Sequence, residues 1–567
     1  MKQSKKIDWN FHINFSPLYF VFVVMVLMAI SFNAEAEEIE EVVVVAQQVK
    51  VVETNPLTET QLFKSLMPSH SWTAGGYGAF QGYMERGAQT IHTTVYRNGI
   101  PANEPGSAWY NFGTDIVTGE TVKVITGANS VVYGSGSIAG TVLIKDTISK
   151  GFTLGAGNNA HRYLNIAPTD WIQYTELGVD NQARNDNTES DSYSNKNVKL
   201  NVDVKDFTLT AKFTDFTYDY DNCYTADFSQ SNNCVQDGEK YNVAINNEYF
   251  TLGRTHQQSE YYTGDYMSYQ NESSTDYVRV GDQVNLSKLL QVAYGVDGSQ
   301  EKYNEHQRDN YGAYLNINAE FALNYNFGFR VGNEDQNAMR FGVEKGPFFF
   351  NVGTSYRRPN LYEVHGDSYV DANLELLPEE AVGYELGFGV LSVFMYDFEQ
   401  AIEYTPGFNT IMPIANAVDI IDDIIEMVEP ASSTDVWTNA RYYNTGAYST
   451  RGFRYSQTFG LFGIMLKATD TKQARVPKYV AVLRYKQDFG SHNVNASYSG
   501  SYDRKPGAYD GDELEDLQIL NFGYVKTFTS NVQLALNVNN VLDEDTEVLP
   551  GYGTQGREFK LTIQRKW

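Results

Sequence analysis

The sequence predicts an all-β protein: a transmembrane antiparallel β-barrel preceded by a smaller N-terminal domain. Three observations lead there. After residue 32 no apolar run is long enough to cross a membrane as a helix, so any spanning must be by strands. From Gly151 to Trp567 the chain is a train of short segments in which apolar and polar residues alternate, the strand signature. The composition joins 41 Tyr, 32 Phe and 46 Gly to 42% hydrophobic residues and a mean hydropathy of -0.41. A barrel turns apolar residues to lipid and polar ones to its lumen, so its mean hydropathy reads as soluble while aromatic girdles raise Tyr and Phe.

The first element is an export signal. Lys2, Lys5 and Lys6 form a positive leader, Tyr19 to Phe32 an apolar run, and Ala34-Glu35-Ala36 a small-x-small cleavage site, which puts the mature start near Glu37. The run is shorter than the roughly 20 residues of a spanning helix, which argues against an uncleaved anchor. A formal net charge of -27 leaves no basic stripe to replace phosphate counterions and excludes nucleic acid as a partner.

Residues 53 to 148 differ from the barrel half. They are glycine-rich, with short strands such as Thr93-Thr94-Val95-Tyr96 and Val122-Lys123-Val124-Ile125 and no long helix. A domain this small is adequate when a surrounding wall supports it. Gly134-Ser135-Gly136-Ser137-Ile138-Ala139 fits the dinucleotide pattern G-x-G-x-x-A. The next residues, Gly140-Thr141-Val142-Leu143-Ile144, read as strand, and without a helix N-terminus there is nothing to receive a pyrophosphate.

The barrel half alternates plainly. Val198, Leu200, Val202 and Val204 share one face, and after the short Lys205-Asp206 turn Phe207, Leu209, Ala211 and Phe213 resume it. Val532, Leu534, Leu536 and Val538 do the same, and the last strand sets Phe559, Leu561, Ile563, Arg565 and Trp567 against Glu558, Lys560, Thr562, Gln564 and Lys566. Small polar residues on the second face suit a wet lumen, whereas a secreted sandwich or propeller would bury that face. The stretch 151–567 accommodates 22 strands of about 10 residues with connections averaging about 9. Sixteen or eighteen strands with longer loops fit the same total.

Ordered motifs make the resemblance specific. Glu40-Glu41-Val42-Val43-Val44-Val45-Ala46 looks like a TonB box. Arg86-Gly87, Tyr96-Arg97-Asn98-Gly99-Ile100-Pro101, Val122 to Gly127 and Val132 to Val142 come after it in order, then Ser355 to Glu363, Leu377-Pro378-Glu379-Glu380, Tyr384-Glu385-Leu386-Gly387, Asn540-Val541-Leu542-Asp543, Gly556-Arg557-Glu558-Phe559 and the terminal Trp567. Together they resemble TonB-dependent outer-membrane receptors over residues 40 to 567. Asn98-Gly99 stands where the family usually has Asp-Gly, a substitution that keeps the turn and loses a charge, and the first part of the domain is shorter than usual.

The resemblance implies a signal peptide over 1–36, a TonB box and linker over 37–52, a plug domain over 53–148 inside the lumen, and a barrel over 149–567 surrounded by outer-membrane lipid. It implies no enzyme activity. It implies TonB as the periplasmic partner, bound through Glu41, Val42, Val43, Val44, Val45 and Ala46, since an extended β-branched run adds readily to a sheet edge. Trp567 would be read by the barrel-assembly machinery, and the cargo would be a scarce small-molecule nutrient chelate. Cobalamin receptors are similar at Gly551 to Glu558 and at Gly75-Gly76-Tyr77-Gly78, with their second substrate loop at Asn103 to Trp109. Ferric siderophore receptors share part of this. Gly75, Gly76, Tyr77, Phe80, Asn103, Trp109 and Tyr110 are therefore the candidate substrate contacts, with the aromatic rings read either as stacking on a flat ligand or as packing the plug against the wall.

Cys223 and Cys234 stand in a Tyr/Asp/Ser/Asn-rich segment without a C-x-x-C pattern, which in an exported protein predicts a disulfide across an external loop. Asp215, Asp219, Asp221 and Asp227 nearby are candidate ligands of a structural calcium, or else a solvated acidic loop. Asp419 to Glu429, between Pro413 and Pro430, has the pattern of an amphipathic helix, read as a lid, a partner-binding helix or loop packing. The eight His are scattered and form no H-E-x-x-H, and no G-x-S-x-G occurs. A passive porin and an outer-membrane hydrolase remain the rival readings; neither explains a box followed by a plug.

Overall fold

The computed structural model of the protein describes residues 49–53, 71–73, 76–115, 119–181, 191–221, 223–225, 227, 229–333, 336–406, 408–409, 437–505, 514–550 and 552–567. The run Glu41 to Ala46, Gly75 and the segment Asp419 to Glu429 lie outside the described residues.

Twenty-two antiparallel strands close into one barrel, from Gly151–Gly157 to Glu558–Lys566. The last strand pairs with the first, Lys566 opposite Gly151 and Lys560 opposite Gly157, so no edge is left to pair with another chain. Both ends of the barrel sequence therefore reach the same rim. At that rim the turns are short, as at Lys205-Asp206 between Asp191–Val204 and Phe207–Tyr220. At the other rim the connections are longer, and strands such as Tyr266–Ser287 rise well beyond their neighbours.

The two-residue repeat decides which way each side chain points. Val204, Phe207, Phe213, Leu561, Ile563 and Trp567 are exposed on the outer wall, while Asn195, Asn197, Lys199, Lys212 and Thr562 are buried inside. A polar inner face needs partners, and the N-terminal domain supplies them. Its sheet runs in the order Val49–Glu53, Glu120–Thr126, Gly140–Asp146, Thr93–Arg97, Ile100–Pro101. Val95, Val122, Val124, Val142 and Ile144 form its own core with Tyr83, Tyr110 and Phe112. A second cluster joins it to the wall, packing Val131 and Val132 of the short helix Ser130–Tyr133 with Tyr277, Ala338 and Tyr356 of the barrel.

Asn98 and Gly99 both have positive φ, 50° and 83°. The Asn98 amide donates to Asp146 Oδ2 (2.7 Å) and accepts from the Asp146 N–H (2.9 Å). An aspartate there would lack the donor and set two carboxylates together, which explains the departure from Asp-Gly.

Cys223 and Cys234 are joined by a disulfide in an upper loop, with Cα atoms 6.0 Å apart. The carboxylates named as candidate calcium ligands are dispersed among the described residues. Asp215 and Asp219 fall on the outward side of Phe207–Tyr220, where Asp219 accepts from Ser192 Oγ (2.5 Å), while Asp221 is buried past the strand end and Asp227 accepts from Ser229 Oγ (2.8 Å). Strand alternation sends the first pair away from the loop, and among the described residues no group of three His, Cys, Asp or Glu is placed to hold a metal.

Candidate functional site

The plug loop 102–111 crowns the domain beneath the wide rim. It is held from inside. Asn103 accepts from the Val95 N–H (2.6 Å) and donates to Thr93 O (3.0 Å) and Ala108 O (2.9 Å). Backbone bonds from Glu104 N to Trp109 O and from Ala108 N to Glu104 O, both 2.7 Å, close the loop. Above it lies a cavity of about 390 Å³, within the range of small-molecule sites. Phe80 and Trp109 of the plug form one side, with ring centroids 4.7 Å apart. Tyr218, Tyr220 and Tyr261 of the wall and Tyr552 of the last upper loop form the other.

The candidate contacts divide into two groups. Phe80 and Trp109 line the cavity, and Trp109 is 41% exposed. Tyr77 is instead pinned to the closing strand, its hydroxyl contacting Glu558 (3.3 Å) and Lys560, whose ammonium also lies 4.8 Å from the Tyr77 ring. Tyr77 is thus held against the wall and does not line the cavity. Asn103 and Tyr110 border the cavity but are committed to the plug, Tyr110 donating to Asp115 Oδ2 (2.5 Å) and accepting from Arg97 (3.1 Å). Gly76 is described, half-buried beside Tyr77, and is not among the residues that line the cavity. Glu104, Lys240 and the wall tyrosines escaped the sequence reading. Tyr218 and Tyr220 share the inward parity of Lys212, a signal that was present; nothing in the sequence said which strands face this loop.

The cavity floor is an ion network between plug and wall. Arg97 reaches Asp146 (2.5 Å) and Asp115 (3.2 Å), Lys212 reaches Asp115 (2.8 Å) and Lys199 reaches Glu120 (2.6 Å). Burial acts to raise the Asp115 and Asp146 carboxyls, but Arg97 first and then the wall lysines reverse it and hold both well below the usual carboxylate range. Lys240 donates to Thr114 Oγ1 (2.7 Å). Glu104 behaves oppositely: burial pushes its carboxyl up, against the Ser107 hydroxyl (2.9 Å) and Lys240.

A barrel filled by a sheet domain, with a chamber between domain and rim, has counterparts. A model of the TonB-dependent receptor plug domain matches residues 36–141, and one of the TonB-dependent receptor-like β-barrel matches residues 132–541. The chain belongs to the TonB-dependent receptor family. It is 21% identical to the vitamin B12 transporter BtuB of Vibrio cholerae, over 95% of this chain and 94% of that one. Among solved structures, the ferric enterobactin receptor PfeA of Pseudomonas aeruginosa superposes with a TM-score of 0.65 at 13% identity, over 92% of this chain and 98% of that one. The copper transporter OprC gives 0.65 at 14%, over 92% and 100%. These likenesses show the fold. This TonB-dependent receptor thus resides in the outer membrane of a Gram-negative cell and works in nutrient uptake; its family consists of transporters and receptors rather than enzymes.

Proposed function

We propose that this receptor imports cobalamin. The observation that carries the reading is the chamber over the plug loop: aromatic rings on both sides, Phe80 and Trp109 facing Tyr218, Tyr220 and Tyr261, with the floor cations Arg97 and Lys212 engaged by Asp115. Such a chamber favours a large, flat-faced ligand of little net charge, because ring faces supply contact area while a polyanionic ferric chelate would need more cations than Lys240, the one lining lysine bonded to a hydroxyl rather than a carboxylate. The full-length similarity to a vitamin B12 transporter supports it, as does the position of Tyr552 within the segment that resembles the final hairpin of cobalamin receptors.

In this reading residues 1–36 are cleaved on export, 37–52 carry the TonB box, 53–148 are the plug and 149–567 the barrel, which is assembled through Trp567 and bathed in outer-membrane lipid. Tight capture slows release, so work must be done on the plug after binding. TonB pairs with Glu41 to Ala46 as an added strand and pulls. The strand Val49–Glu53, three residues further on, pairs with Glu120–Thr126 and carries the pull into the plug sheet.

The test has two arms. Radiolabelled cobalamin should bind isolated outer membranes holding the receptor, and ferric siderophores should not compete; competition by the siderophores alone would move the receptor to that class. Val44→Pro removes a backbone donor and should leave binding intact while uptake stops. Normal uptake by this variant would sink the assignment of the box.

A further inference from the structure

Burying a cation is costly unless an anion goes with it, and the lumen follows that rule closely. Arg86, Arg97, Arg330 and Arg357 are all buried, and each has a carboxylate oxygen within 2.8 Å. Arg340, on the inner face of the strand Ala338–Lys345, is 4% exposed. Among the described residues no carboxylate pairs with it; the ionisable side chain whose charge acts on it is a phenol, Tyr133.

Amides stand where the carboxylates would be. Arg340 Nε donates to Asn326 Oδ1 and Nη2 to Asn316 Oδ1, both at 2.9 Å. Asn326 Nδ2 in turn donates to Asn316 Oδ1 (3.1 Å) and Asn318 Oδ1 (2.5 Å). Two donors converge on Asn316 Oδ1, so that amide is fixed with its Nδ2 turned the other way. Asn316 Nδ2 and Arg340 Nη1 are both buried and meet no acceptor in the protein. The residues opposite Arg340 on the neighbouring strands are Gly328 and Gly353, so no side chain stands beside the guanidinium on either hand. The plug closes the place from the lumen. A Cβ on Gly328 would lie 2.9 Å from Val131, and one on Gly353 3.3 Å from Ala128.

We propose that Arg340 and Asn316 hold a small monovalent inorganic anion, chloride in ordinary surroundings, which completes the contact between the wall and the plug chain from Ala128 to Val131. One uncompensated positive charge calls for one negative charge. Sulfate or phosphate would bring a second charge and more acceptor oxygens than these two donors can serve. A water would satisfy the hydrogen bonds and leave the guanidinium charge unbalanced. The site is independent of the nutrient carried, and it makes retention of the plug depend on the anion in the medium.

The experiment compares the full receptor purified throughout in sodium chloride or in sodium gluconate of equal ionic strength, gluconate being too large for the site. The urea midpoint for plug release should be higher in chloride by roughly 1 M, the shift expected for an ion held well above its dissociation constant. Wild-type receptor equilibrated with radiochloride should retain one ion per folded molecule after gel filtration. Arg340→Met should retain none and should show the same midpoint in both salts. Asn316→Asp supplies a carboxylate beside the guanidinium and removes the Nδ2 donor. It too should lose radiochloride, and its midpoint should be equal in the two salts without falling below that of wild type in gluconate. Asn316→Asp decides the matter alone if Arg340→Met does not fold. A wild-type receptor that retains no chloride and has one midpoint in both salts overturns the site in favour of water. A salt response that survives in Asn316→Asp overturns it as well, because the anion then acts elsewhere.

Discussion

On the fourth and fifth strands of the barrel, Lys199 and Lys212 point inward and meet the plug's Glu120 and Asp115; on the fourteenth, Glu385 and Glu379 point inward and meet the plug's Arg86 and His92. In a ring of 22 strands these walls are almost opposite. One wall is basic and the other acidic, and the plug carries the complementary edge to each. Turning the plug half-way round would bury like charges together. Electrostatics of this kind fixes orientation more surely than it adds stability, because burying ions costs much of what their attraction returns.

The two clamps are built differently. On the basic side three cations, Arg97, Lys199 and Lys212, interlock with Asp115, Glu120 and Asp146. On the acidic side the barrel carries its own bracing, Arg357 bonding both Glu379 and Glu363. The plug adds Arg86, 2.6 Å from Glu385, and His92, whose Nδ1 accepts the Gln89 N–H (3.2 Å) so that Nε2 can donate to Glu379 (2.8 Å). The strand that carries Glu120 is the one Val49–Glu53 pairs with, so a pull from the N-terminus should load the basic clamp first.

The largest effect is therefore expected from Arg97→Met, which leaves Asp115, Asp146 and Glu120 with two lysines. Losing one partner of a buried ionic cluster costs about 3–5 kcal/mol. The urea midpoint for plug release, followed by protease sensitivity of the purified receptor, should fall accordingly. Glu385→Gln should cost less, about 1–3 kcal/mol, since Arg86 keeps Glu85 at 3.6 Å and the Phe394 ring at 4.8 Å. If Glu385→Gln loosens the plug more than Arg97→Met does, the acidic wall is the stronger clamp and the comparison inverts.

Much of this frame is legible in the sequence. Alternation through Val198 to Val204 and Phe207 to Phe213 gave wall, direction and turn at once, because a strand's period is fixed by its backbone. The same parity marked Lys199 and Lys212 as inward. It could not give their height or bearing, since those depend on register summed over many strands. The resemblance to cobalamin receptors supplies the substrate loop from Asn103 to Trp109, but nothing in the sequence supplies its opposite wall, Tyr218 to Tyr261. Asn103 and Tyr77 show a second limit. Polar and aromatic residues at an apex serve a ligand or hold the backbone equally well, and here Asn103 staples its own loop while Tyr77 is tied to Lys560.

Acid gives a second measure of the basic clamp. Asp115 and Asp146 have folded pKa values held down by Arg97 and the lysines. Groups depressed in this way contribute stability that is complete above their unfolded pKa, about 3.9, and is lost as pH falls toward the folded value. Plug retention should stay flat from pH 7 to about 4. Below that it should weaken by about 1.4 kcal/mol per pH unit for each of the two carboxylates. The urea midpoint measured at pH 7, 5, 4 and 3 checks this, and a decline already complete by pH 5 would show that other groups hold the plug.

The smallest effect tests whether proximity alone matters. Arg451 and Asp470 approach to 2.8 Å, the same separation as Lys212 and Asp115, but their side chains are 70% and 64% exposed. The pair is on the outward face, away from the plug, and holding two long side chains in one geometry costs entropy, so exposed pairs contribute about 0–1 kcal/mol. Arg451→Ala should leave the urea midpoint for plug release and the thermal midpoint of the barrel within error of wild type. The pair joins neighbouring strands that their backbone ladder already holds in register, Arg451 opposite Asp470, so its loss frees nothing else. A drop comparable to that of Arg97→Met would mean that burial is not what distinguishes the two walls from the rest of the barrel, and the clamps would have to be explained by geometry instead.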